Sequence, residues 1–139
     1  MENMWHVHLF GLDLRKPYVQ ALYIFSVACF AMGALWLFYP TEEASWLIGA
    51  SGILLFTIVN TVNSLFRHRW LRYALISFSW FVAITVLLFL LSGIMSEKGF
   101  AGPNVYHSIF ALFLVFFIMA NMIAGLIRQL ISFLEDIDN

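Results

Sequence analysis

Charge is scarce in this chain. Seven Lys and Arg and eight Asp and Glu serve 139 residues, so 11% of the chain is charged where a soluble domain carries about a quarter. So few charges cannot coat a surface in water, and lipid must be the solvent for most of the chain. The net charge of −1 and the lack of a basic face exclude nucleic acid as a partner. The one Arg-rich run, Arg67-His68-Arg69-Trp70-Leu71-Arg72, reads as an anchor at a membrane boundary. Cysteine is nearly absent: Cys29 stands alone inside an apolar run, which rules out an intrachain disulfide and a thiolate metal cluster. Carboxylates are missing from every long apolar stretch, and with them the proton-carrying groups that pumps and many cation-coupled transporters use. The N-terminal residues lack the compact apolar core of a cleavable signal peptide, so the first apolar run reads as a retained span.

Apolar side chains fill the space that charge leaves. Hydrophobic residues make up 63% of the chain and mean hydropathy is +0.90. The pattern predicts one all-α membrane domain over residues 1–139, with four transmembrane helices at about 17–39, 44–66, 70–95 and 104–134. Six of the seven cations (Arg15, Lys16, Arg67, Arg69, Arg72 and Arg128) fall on one side of these spans, and only Lys98 on the other. This asymmetry places both termini in the cytoplasm or matrix, with Arg67, Arg69, Arg72 and Arg128 as topology anchors, in a bacterial or organellar inner membrane. Trp5, Leu9 and Leu12 share helical spacing, which predicts an interfacial helix within residues 1–16. The last helix is too long for the hydrocarbon core, so the segment from Arg128 onward should project from the bilayer or lie along its surface. Residues 135–139 read as a fraying acidic tail.

The polar residues inside the spans form a pattern. Thr57, Asn60, Thr61 and Ser64 recur at i, i+3, i+4 and i+7, which puts them on one stripe of the second helix, and Asn121 lies at equivalent depth on the fourth. Amides in hydrocarbon need partners, and the simplest arrangement is a hydrogen bond between Asn60 and Asn121 across a helix interface. The alternatives are a water-filled vestibule or solute path lined by the stripe, and a pocket for a lipid headgroup or quinone. Gly49 and Gly52 on the second helix, and Ala120 and Ala124 on the fourth, are candidate close-packing positions that favour these two helices meeting each other or a partner; Cys29 and Gly33 are a further small pair on the first.

The halves also resemble one another. Ala21-Leu22 with Phe25-Ser26 matches Ala74-Leu75 with Phe78-Ser79 at an offset of 53, and Phe56, Asn60, Leu65 and Arg67 match Phe117, Asn121, Leu126 and Arg128 at an offset of 61. Two tandem helical hairpins of the same orientation, a parallel repeat, follow from this. With Ser96-Glu97-Lys98-Gly99-Phe100 in the second outer loop, and Arg67 and Arg128 closing the two units, the chain resembles the YiaA/YiaB type of bacterial inner-membrane protein. The resemblance covers residues 18–130 as architecture: tandem two-helix units with short outer loops. It implies no catalytic residues. The first outer turn, Thr41-Glu42-Glu43-Ala44, departs from that pattern in lacking the Lys-Gly pair.

No catalytic constellation stands out. His6, His8, His68 and His107 all lie outside the middle of the spans, so a haem held within one chain is disfavoured, and no cofactor or metal site is assigned. Ser-His-Asp sets, phosphate loops and paired carboxylates are missing. The expected function is therefore non-catalytic: an accessory or structural subunit of a larger membrane complex, or a self-associating bundle, with lipid and protein subunits as partners. The alternatives are a small oligomeric channel or transporter for a neutral solute or ion, and a redox-complex subunit whose ligands are shared with another chain.

Overall fold

The computed structural model describes residues 8–9, 12–13, 15–39, 43–67, 69–96, 98–101 and 104–137. Four helices dominate it: α1 Pro17–Phe38, α2 Ala44–Leu65, α3 Trp70–Met95 and α4 Asn104–Ile137. Each is long and apolar enough to cross a membrane. Three of them match the expected spans to within one residue at either end. Pro17 opens α1 at a position whose missing N–H has no intrahelical acceptor to lose, and the Tyr39 N–H closes the helix on the Leu35 carbonyl at 2.7 Å.

Two expectations at the chain ends are corrected. His8–Leu9 (β1) and Leu12–Asp13 (β2) pair antiparallel, so the helix predicted through Leu9 and Leu12 does not form. Trp5, the remaining residue of that spacing, lies outside the described residues. At the other end, α4 continues through Glu135 and Asp136 to Ile137 and does not fray at Leu134. Each added turn extends an existing helix, so it carries no nucleation cost. Asp138 and Asn139 lie outside the described residues.

Helices adjacent in sequence run antiparallel. The α1–α2 and α3–α4 connections share one end of the bundle, here the loop end. The start of α1, the α2–α3 turn and the end of α4 share the other, the arginine end. The centre belongs to α2, which packs against all three other helices, while α1 also packs on α3. The least apolar span is thus the most buried one. That ordering is physically sensible, because polar atoms are cheaper against protein, where partners exist, than against lipid tails.

The core is built from Met32, Ile53, Phe56, Phe81, Ile84, Leu88 and Phe117, all at most 2% exposed. Near the loop end Trp46 sits amid Phe89, Tyr106, His107 and Phe110, with ring centroids 5.4–6.0 Å away. A short 3-10 turn, Gly99–Ala101, starts from Gly99 in the left-handed region (φ 57°). It lays the Phe100 ring where a Cβ on Gly93 would stand, so that glycine is required for the loop to close on α3.

A candidate functional site in the arginine half of the bundle

The stripe on α2 faces inward. Thr57, Asn60 and Ser64 are wholly buried and Thr61 is half-buried. Two hydroxyls are spent on α2 itself: Thr57 Oγ1 donates to the Ile53 carbonyl at 2.9 Å, and Ser64 Oγ to the Thr61 carbonyl at 2.7 Å. Such back-bonding is how a membrane helix satisfies a hydroxyl without a neighbour. Thr61 Oγ1 and both polar atoms of the Asn60 amide are buried without a hydrogen-bond partner among the described residues.

Asn121 does not bond to Asn60, contrary to the sequence expectation. Its Nδ2 donates to the Phe117 carbonyl one turn back on α4, at 2.9 Å, and its Oδ1 is buried without a partner among the described residues. One turn towards the loop end Phe56 and Phe117 stack with centroids 6.4 Å apart, so aromatic rings meet between α2 and α4 while the Asn121 amide turns back to its own helix.

Three buried polar residues join this layer that sequence reasoning did not single out. Gln20 on α1 donates from Nε2 to the Tyr73 hydroxyl on α3 at 3.4 Å, and Ser77 lies one turn further along α3. The missed signal was the repeat offset: Gln20 and Tyr73 each precede a matched Ala-Leu pair, Ala21-Leu22 and Ala74-Leu75, and stand 53 apart. Matched positions also touch between α2 and α4, where Trp46 meets His107 and Phe56 meets Phe117, each pair 61 apart.

Arg67 closes the layer at the arginine end. Its Nη2 donates to the Arg15 carbonyl at 2.7 Å, and its guanidinium lies 5.2 Å from the Tyr73 ring centroid. It therefore ties the segment before α1 to α3. Arg69 and Arg72 are exposed and Arg128 is half-buried; these three line one groove between the start of α3 and the α4 extension.

The candidate packing residues divide by neighbour. A Cβ on Gly49 would overlap Ser92 Oγ and lie 3.5 Å from Phe110, and one on Gly52 would lie 3.1 Å from Leu88 and 3.5 Å from Ile24. These glycines mainly admit α3 and α1, and the α2–α4 contact is carried by aromatic rings. Ala124 is buried and Ala120 half-buried on α4, while Gly33 has nothing of this chain's described residues within 4 Å of where its Cβ would be.

Among the described residues the layer offers hydroxyls, amides, a phenol and the Arg67 guanidinium. No three His, Cys, Asp or Glu side chains converge among the described residues. Replacing Asn60 by Leu, which has the same number and branching of side-chain heavy atoms, removes two unpartnered polar atoms from a low-dielectric interior. Asn60→Leu is expected to raise stability by about 1–2 kcal/mol, read as a higher midpoint in SDS titration followed by Trp fluorescence. A lower midpoint would mean that the amide is bonded in the membrane.

Fold and site together define a four-helix integral membrane protein with an enclosed polar layer. Comparison of the chain with protein family models, with curated proteins and with solved structures yields no match.

Proposed function

We propose that the chain is a non-catalytic membrane bundle that works by association, as a self-associating unit or an accessory subunit of a larger complex, with both termini on the cytoplasmic or matrix side. The single observation that carries this reading is the end of α4. At about 1.5 Å per residue its 34 residues extend about 51 Å, well beyond a hydrocarbon core of about 30 Å. Past Arg128 the helix leaves the bilayer, yet Leu130, Ile131, Phe133, Leu134 and Ile137 all stay 49–63% exposed.

These five fall within about 160° of the helix circumference, and Gln129, Ser132, Glu135 and Asp136 occupy the opposite arc. A continuous helix cannot turn this stripe down onto the membrane surface. Covering what is exposed would contribute roughly 5 kcal/mol, at about 2 kcal/mol for each fully buried side chain. An apolar stripe held in water on a rigid helix is the signature of a surface meant for another helix.

Deleting residues 130–139 tests the reading. The full chain is expected to migrate above monomer mass in mild detergent, and the truncated chain to keep its four-helix circular dichroism yet fall to monomer mass. Monomer migration of the full chain, with nothing co-purifying from native membrane, would sink the proposal.

A second reading, a path for a neutral solute or ion, is favoured by the unpartnered polar atoms of Asn60, Thr61 and Asn121. Against it stands the complete burial of Thr57, Asn60 and Ser64, with Thr61 alone of the stripe half-buried.

A further inference from the structure

We propose that the groove at the arginine end is a binding site for the phosphate of an anionic phospholipid in the adjoining leaflet. The groove has a volume of about 500 Å³ and opens between the first turn of α3 and α4. Arg69 and Arg72 line it at the start of α3, Arg128 and Gln129 on α4. The carboxylates nearest along α4, Glu135 and Asp136, are not among its lining residues. Three arginines therefore border one concavity with no carboxylate among its lining residues.

Unpartnered donors mark the same place. Arg128 Nη1 and the indole N–H of Trp70 are both buried without a hydrogen-bond partner among the described residues. Neither group can accept a hydrogen bond, so an acceptor is what they require. The first turn of α3 adds to this need. Its N-cap residue, Arg69, makes no side-chain capping bond, and the N–H groups of Trp70, Leu71 and Arg72 have no acceptor within the helix. Helix N-termini favour anions, and guanidinium favours the paired oxygens of a phosphate.

Depth and shape select a lipid over a free ion. Arg128 lies 24 residues along α4, about 36 Å from its start, which is headgroup level for a core of about 30 Å. The wall of the site is mostly apolar. Leu71 lines it, and Gly125 lets the Trp70 indole lie flat on α4, where any Cβ would collide with the ring. A dissolved anion gains nothing from that wall, whereas the glycerol and upper acyl carbons of a phospholipid would pack on it. Basic pockets between helices at this level hold anionic headgroups in other membrane proteins.

The test uses the full chain in detergent, with bound lipid counted by native mass spectrometry. Phosphatidylglycerol should be retained in preference to phosphatidylcholine. The double variant Arg72→Gln/Arg128→Gln should cut retention roughly tenfold or more. Gln129→Glu, an exposed change that spares the fold, should do the same by placing a carboxylate in the groove. Arg15→Gln/Lys16→Gln removes the same charge from the same end outside the groove and should leave retention unchanged. Equal losses in the two double variants would reduce the effect to diffuse attraction and overturn the site. Equal retention of phosphatidylcholine would overturn the anion preference. Displacement of phosphatidylglycerol by millimolar inorganic phosphate would overturn the lipid assignment.

Discussion

Gly49→Leu is expected to destabilise the bundle by about 3 kcal/mol, read as a lower SDS midpoint and loss of helix–helix contact by crosslinking between α2 and α3. Its first added carbon would overlap Ser92 Oγ, with the Leu88 carbonyl 3.6 Å and the Phe110 ring 3.5 Å away. One of those neighbours is backbone, so yielding means moving a helix. Displacing Ser92 also breaks a reciprocal clasp: Ser92 Oγ donates to the Ser45 carbonyl at 3.0 Å, and Ser45 Oγ to the Ser92 carbonyl at 3.3 Å. Both helices are held there by buried polar atoms that lipid cannot satisfy. The matched control is Gly33→Leu. Nothing lies within 4 Å of where its Cβ would be, so the midpoint should hold within about 0.5 kcal/mol. Equal loss in the two variants would mean that Leu perturbs membrane insertion and not the α2–α3 contact.

Phe117→Ala should cost about 2–3 kcal/mol. Phe117 is 2% exposed and stacks on Phe81 at a centroid distance of 4.1 Å, with Phe56 and Phe78 at 6.4 and 6.2 Å. In a soluble core Phe→Ala costs 3–5 kcal/mol, part of it lost transfer from water. Here the separated helices remain in lipid, so that part largely vanishes. What remains is the cavity, at about 24 cal/mol per Å³ over roughly 100 Å³. A double-mutant cycle with Phe81→Ala should return a coupling of about 0.5–1.5 kcal/mol from the stacked pair. Zero coupling in SDS titration would show that the rings pack independently.

The spans were legible because apolar runs of this length have few alternatives in water or lipid. Helical spacing placed Thr57, Asn60 and Ser64 on one stripe, and all three are buried together. Their partners could not be read, because bonding depends on interhelical distance. Asn121 turns back to the Phe117 carbonyl on its own helix, and nothing in the run around it reports that. The N-terminal segment misled for a different reason. Leu9 and Leu12 satisfy helical spacing, and in the pairing that forms they face each other as strand partners, so three apolar positions could not tell the two periods apart. Gln20 and Tyr73 were hidden by their position at the edges of the matched runs.

The central place of α2 has a consequence for biosynthesis. A ribosome delivers α1 and α2 before either of the helices that finish enclosing Thr57, Asn60 and Ser64. Until α3 and α4 emerge, the second span is the least apolar segment in the translocon and has only one companion. The polar stripe is therefore enclosed only once the second hairpin has joined α1 and α2.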